Sequence, residues 1–225
     1  MLMVLLIAGA TLFAFRHVMD DLPIRSVRIV GVLEDADRAA LEQVIDSRLE
    51  GGFFGVDVEA VRTAVQALPW VKAVSVRRMW PDSLHIAVVE RAAVARWGAH
   101  QLIEADGTVF RLDRDPPRDL VELEGPPGSA LQMLGRYREL QQLLAPLAAR
   151  IEHLALDARG TWRGRLDGGM VLIFEEGLQE SRLRHFAKVA SHVLGPQLNQ
   201  IKQVDLRYVN GFAVRWKMQP EQVNG

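Results

Sequence analysis

Between Pro23 and Glu90 the spacing of apolar residues changes from a period of two to a period of about 3.6 and back, and each change fixes the type of element that can form. Val27 and Ile29 alternate with Arg28 and Val30 up to Gly31, which predicts a half-buried strand. Leu41, Val44, Ile45 and Leu49 then recur at helical spacing, with Asp35 or Asp37 as the cap and Gly51-Gly52 as the stop. A second helix follows. Asp57 is its N-cap, Val58, Val61, Ala64, Val65 and Leu68 form its apolar stripe, and Pro69 ends it. Residues 72–79 and 84–90 read as two strands joined through Pro81-Asp82-Ser83. The order is strand, helix, helix, strand, strand, each apolar on one side, and it calls for one layer of helix on one small sheet.

From about Ala92 the pattern is mainly β with two helices. Residues 97–104 and 108–112 flank Asp106-Gly107, a hairpin signal, and residues 125–128 form a loop. A helix begins near Ser129, with Leu131, Leu134, Leu140 and Leu144 on its apolar face and Pro146 beyond its end. Residues 151–156 predict a strand, and 162–166 and 170–174 bracket the turn Asp167-Gly168-Gly169. Leu183, Phe186, Ala190 and Val193 mark a second helix that Gly195-Pro196 breaks. Two last strands, 201–208 and 212–217, precede a polar tail.

The N-terminal residues 1–15 carry no charge, and Leu2, Val4, Leu5, Leu6, Ile7, Leu12 and Phe13 dominate them before Arg16 and His17. This is a membrane-directed segment. At about 1.5 Å per residue it covers about 22 Å, short of the roughly 30 Å hydrocarbon layer unless Arg16 snorkels and Val18 and Met19 join it, so the span reads as clipped. A cleaved signal peptide is the rival reading. No basic stretch precedes the apolar run, however, and the small-x-small pattern Ala8-Gly9-Ala10 interrupts it, so an uncleaved anchor is expected. Nothing before Leu2 balances Arg16, so the positive-inside rule gives no orientation and an upstream basic segment is expected to be missing.

Across 225 residues, 49% apolar and 24% charged, the chain can bury a core in one or two domains. A net charge of -1 gives no general pull toward polyanions, so nucleic acid is not an expected partner. The absence of cysteine removes disulfides, thiolate catalysis and Cys-type zinc sites, and leaves the compartment open. The fold class expected is α+β. A transmembrane helix with its juxtamembrane segment occupies residues 1–22, a small βααββ domain 23–91, a mainly antiparallel β domain with two helices 92–217, and a polar tail 218–225.

The βααββ order matches the POTRA architecture, whose members sit outside the cytoplasm and engage other chains largely through exposed strand edges; by analogy this implies docking. The run Leu68-Pro69-Trp70-Val71, then Val76-Arg77-Arg78-Met79-Trp80-Pro81, Leu84-His85-Ile86 and Val88-Val89-Glu90, strongly resembles the POTRA segment of the FtsQ/DivIB family of bacterial division proteins. Val94-Ala95-Arg96-Trp97, Asp106-Gly107-Thr108-Val109-Phe110, Gly125-Pro126-Pro127-Gly128, Val204-Asp205-Leu206-Arg207-Tyr208 and Gly211-Phe212-Ala213-Val214-Arg215-Trp216 resemble that family in the same order. The likeness spans residues 23–217, and the family's basic cytoplasmic tail is not matched. Each piece also has a plain structural reading: Trp70 and Trp80 as core or rim, Arg77-Arg78 as a solvated strand end, Pro69 and Pro81 as stops.

In the last strand Phe212, Val214 and Trp216 point one way and Ala213, Arg215 and Lys217 the other. A terminal strand at a sheet edge leaves N–H and C=O groups that can accept a strand from another protein. Arg207, Tyr208 and Trp216 are the residue types that dominate binding hot spots. The resemblance implies the same place: in FtsQ proteins this region is similar to the surface that receives FtsB, itself paired with FtsL, by strand addition. On that basis Arg207 pairs with an acidic partner residue, Tyr208 and Trp216 offer apolar contacts, and Asn210, Phe212 and Val214 complete the set. Asn210 and Phe212 stand where some family members carry smaller residues. Arg159, in Arg159-Gly160-Thr161-Trp162, adds a second basic contribution, with Gly160 at a position often basic in relatives. The alternative for Trp216 is packing in the core. The resemblance further implies a single-pass protein of the bacterial inner membrane, its bulk in the periplasm at the division septum, with other divisome proteins meeting the POTRA domain.

No enzyme, cofactor or metal site is expected. The histidines His17, His85, His100, His153, His185 and His192 show no H-E-x-x-H or comparable spacing, and neither a G-x-S-x-G elbow nor a phosphate-binding G-x-x-x-x-G-K-[ST] loop occurs. Glu175 and Glu176 are adjacent strand residues facing opposite sides, so they cannot flank one glycosidic bond. A POTRA-bearing translocation component is the competing function. It would continue into a barrel of many alternating strands, and none follow here. A peptidoglycan-binding module would require a concave aromatic groove.

Overall fold

A computed structural model of the chain describes residues 22–33, 35–112, 116–175, 177–178, 180–193, 195–208 and 211–217. The chain divides after Arg91 into two compact units. The expected anchor, Asn210 and the tail 218–225 lie outside the described residues, among which no helix is long and apolar enough to cross a membrane.

The first unit runs β1 (Ser26–Val30), α1 (Asp35–Asp46), α2 (Gly52–Gly55), α3 (Val58–Gln66), β2 (Val71–Met79) and β3 (Ser83–Glu90). β3 lies between the other two strands, parallel to β1 and antiparallel to β2. Alternation sends Leu84, Ile86 and Val88 to one face, where they are buried together with Leu41, Ile45, Val61 and Val65 of the helices. The expected cap forms: Asp57 Oδ1 accepts the N–H groups of Glu59 at 2.9 Å and Ala60 at 3.0 Å.

Three local expectations change. α1 ends at Asp46, so Gly51-Gly52 is not its stop; the pair leads into α2, a single turn that seats Phe53 in the core, and Gly51 adopts φ +84°, which favours glycine. Arg78 is exposed, as a solvated strand end is, but its Nη2 also donates to the Val56 carbonyl and ties β2 to the segment after α2. Arg77 faces the other side of the sheet and is exposed. Trp70 is 2% exposed, whereas Trp80 stands 82% exposed.

The second unit runs β4 (Ala93–Trp97), β5 (Gln101–Glu104), β6 (Val109–Arg111), β7 (Glu122–Glu124), α4 (Ala130–Leu143), β8 (Ile151–Leu156), β9 (Thr161–Leu166), β10 (Val171–Glu175), α5 (Glu180–Val193), β11 (Ile201–Asp205) and β12 (Ala213–Trp216). All nine strands form one sheet in the order β12-β11-β10-β9-β8-β7-β4-β5-β6. It is mainly antiparallel, with parallel pairs at β10–β11, β7–β8 and β4–β7. Met133, Leu134 and Leu140 of α4 and Leu183, Phe186 and Ala190 of α5 share one core with Leu154, Leu166, Leu172 and Val204 of the strands. Within it Trp162 and Phe174 lie parallel, ring centroids 6.0 Å apart.

Of the strand expected over 97–104 only Gln101–Glu104 forms β5, while Trp97 closes β4, which begins at Ala93 where no strand is expected. Gly98, at φ +57°, opens a turn after β4, so a β4–β5 hairpin stands beside the expected β5–β6 one. β7 is only Glu122-Leu123-Glu124, too short to show a period, and it exists because β4 and β8 pair with it on either side.

Candidate functional site

β12 forms one margin of the nine-stranded sheet, with β11 as its sole neighbour among the described strands. The Lys217 N–H donates to Gln200 O at 2.7 Å. Two-residue alternation turns Ala213 and Arg215 the same way and leaves the N–H and C=O of Val214 and Trp216 directed off the sheet. A register shift between Ile201 and Gln203, opposite Trp216 and Arg215, bends the ladder there.

The side chains divide by what they touch. Phe212 and Val214 are half-buried against the core, and Phe212 meets Phe186 of α5 edge-on with centroids 5.2 Å apart. Trp216 is 44% exposed and Tyr208 59% exposed, so Trp216 is not a core residue. Lys217 Nζ donates to Gly168 O at 3.2 Å, which fastens the far end of β12 to the β9–β10 turn.

The strand expected to run through Tyr208 stops at Asp205 for a local reason. The Asp205 side chain accepts the Arg207 N–H at 3.1 Å and curls the backbone out of the ladder. The same carboxylate takes Arg207 Nε at 2.9 Å and Nη2 at 2.7 Å. Arg207 is therefore already paired within its own chain. Its hydrogen bonds hold the Asp205 carboxyl below the ordinary range, against burial, which pushes it up. Because the folded value lies below the unfolded one, this stabilisation is complete above about pH 3.9 and is lost as pH falls through the folded value. Asp205→Asn is expected to lower the melting temperature by about 2–4 °C at neutral pH and to weaken the acid limb of a melting-temperature profile. An unchanged profile would show that the pair contributes nothing.

A residue that spacing does not single out holds this connection in place. Arg182 of α5 donates Nη2 to Leu206 O at 3.1 Å and also to Tyr208 O. In sequence it is one polar position on an amphipathic helix; only the packing of α5 behind residues 206–208 reveals its partners.

Arg159 sits in the β8–β9 turn, where Asp157 Oδ1 accepts the N–H groups of Arg159 and Thr161, each at 2.9 Å. Those donors, Thr161 first, hold the Asp157 carboxyl below its ordinary range. Thr161 opposes Glu175, and β10 runs parallel to β11, so Arg159 lies at the same end of the sheet as Arg207. β10 and β11 separate its hairpin from β12. The fold thus gathers Arg207, Tyr208, Phe212, Val214 and Trp216 along one margin and sets Arg159 apart. On the helix-free face an open groove of about 860 Å³ is lined by Glu124, His153, Arg163 and Arg165 with their neighbours and, among the described residues, by no Trp, Tyr or Phe, the side chains on which a sugar-binding groove stacks its ligand.

Comparison with known proteins matches both units. Residues 22–91 match the family described as POTRA domain, FtsQ-type, and residues 95–207 match Cell division protein FtsQ/DivIB, C-terminal. The chain is 34% identical over 202 residues to Cell division protein FtsQ of Coxiella burnetii, covering 89% of this chain and 83% of that one. It is 32% identical over 214 residues to Cell division protein FtsQ of Neisseria gonorrhoeae, covering 95% and 88%. Cell division protein FtsQ of Allochromatium vinosum is 34% identical over 216 residues, covering 96% and 86%. With both units matched in order and the relatives covered over most of their length, the chain belongs to the FtsQ/DivIB family of cell division proteins.

Proposed function

We propose that this chain is a membrane-anchored, non-enzymatic scaffold of the division machinery whose second unit takes up a strand from an FtsB-type partner, itself paired with an FtsL-type protein. The FtsQ/DivIB family is one of cell division proteins and not a known family of enzymes. The observation that carries the reading is the open edge of β12, with Tyr208 and Trp216 exposed beside it. Backbone bonds from Val214 and Trp216 supply general adhesion, and the two aromatic side chains supply selectivity. Arg207 keeps its bond to Asp205 and meets an acidic partner residue with the rest of its guanidinium. Arg159 adds charge from the same end of the sheet. Residues 1–15 hold the chain in the bacterial inner membrane, the two units stand in the periplasm at the septum, and other divisome proteins meet the first unit. A translocation role is disfavoured by the FtsQ/DivIB match over 95–207.

Amide exchange tests the docking mode. On adding an FtsB-type segment, the Val214 and Trp216 amides are expected to slow by about tenfold or more, because they gain hydrogen bonds, while those of Ala213 and Arg215 change little. Equal protection of all four, or of none, overturns strand addition.

A further inference from the structure

The helix-free face of the first unit carries basic groups in one row. Arg28 of β1 and Arg77 of β2 both lie opposite His85 of the central strand, so the three share a rung across the sheet. The next rung, about 7 Å toward the β2–β3 turn, is Ser26, Ser83 and Met79, with the two serine hydroxyls 2.8 Å apart. Neither rung contains a carboxylate. Arg28 and Arg77 are exposed, Met79 is 52% exposed, and Trp80 projects from the end of β2 with 82% of its surface in solvent. Arg25, its side chain 75% exposed, lies at the same end, 3.8 Å from Asp82, the acid of that turn.

The path of the chain says what this end meets. The segment preceding β1 is held at two points, Leu22 O accepting the Phe53 N–H and Arg25 N–H donating to Asp82 O, each at 2.8 Å, the second beside the β2–β3 turn where Trp80 stands. Six residues, 16–21, separate Leu22 from the uncharged run 1–15, a reach of at most about 25 Å. A tryptophan and a methionine flanked by arginines, on a short tether to an apolar segment, have the chemistry of a lipid interface: the indole sits among headgroups and guanidinium groups take anionic phosphate.

We infer that this sheet end, Met79 and Trp80 with Arg28 and Arg77, docks on an anionic phospholipid surface and fixes the tilt of the first unit against the membrane. The inference rests on the anchored reading above. Asp20 and Asp21 in the tether and Asp82 in the turn oppose the attraction, so full-length chain is the material to test.

The sequence has no cysteine, so a single introduced one takes a label at one place. Met79→Cys and, as a control on α1, Ala39→Cys carry a fluorophore that brightens on leaving water. Each chain is mixed with vesicles of phosphatidylcholine alone or of equal parts phosphatidylcholine and phosphatidylglycerol. The label at position 79 is expected to brighten with phosphatidylglycerol and that at position 39 to stay unchanged, while Arg28→Gln and Arg77→Gln each lower the docked-to-free ratio by about fivefold. Equal signals in both vesicles, or a phosphatidylglycerol response that survives both substitutions, overturn the docking. Brightening of detergent-solubilised chain by polyglutamate, to the same extent, also overturns it by making the surface a receptor for acidic polypeptide. Flotation separates the two readings: a chain that floats only with phosphatidylglycerol vesicles and loses this on both substitutions retains the docking and refutes the anchor, and one that floats with neither refutes both.

Discussion

Alanine at Trp216 or at Tyr208 is expected to weaken an FtsB-type partner by more than about 1 kcal/mol each, about fivefold or more in affinity. Both side chains stand in solvent beside the open edge, at 44% and 59% exposure, so truncation removes contact area without opening a cavity in the chain itself. The neighbouring Phe212 behaves differently, because its ring packs on Phe186 and Phe212→Ala damages the fold as well as any interface. Titration calorimetry with the partner segment measures the loss, and far-UV circular dichroism must coincide with that of the parent. Unchanged affinity in both exposed variants would sink the assignment of this margin.

Trp162→Ala is expected to destabilise the second unit by about 3–5 kcal/mol, the usual loss for a buried tryptophan. The side chain is 1% exposed, belongs to the central core cluster and lies parallel to Phe174. Its indole Nε1 has no hydrogen-bond partner among the described residues. Trp162→Phe, which keeps most of the ring and removes that unpaired donor, is expected to cost much less than alanine. Urea denaturation distinguishes the two. Equal losses for Phe and Ala would mean that the indole nitrogen is satisfied and matters as much as the packing.

Legibility in this chain followed the length of the repeating pattern. Val61 and Val65 announced α3, and its cap at Asp57 was readable because a carboxylate one residue before a helical stripe has one common use. The hairpin around Asp167-Gly168-Gly169 was equally plain, and Gly169 adopts φ +79° there. Three-residue β7 left no period to read, and β4 was missed because Ala93-Val94-Ala95-Arg96-Trp97 shows little alternation between apolar and polar positions. Among the candidate site residues, Tyr208 and Trp216 stood out by type. That Arg207 closes on Asp205 is a contact two residues apart that strand spacing does not announce, whereas that Arg182 holds Leu206 and Tyr208 depends on groups that meet only after folding.

The order of residues alone determined the type of most elements, the two-part α+β organisation and the family, because these rest on local periodicity and on motifs carried in series along the chain. Tertiary structure decided which strand lies at the margin, which of two adjacent arginines bonds the segment after α2, and which tryptophans face water. Sheet neighbours and solvent exposure are set by long-range packing between segments far apart in sequence, and no local pattern encodes them.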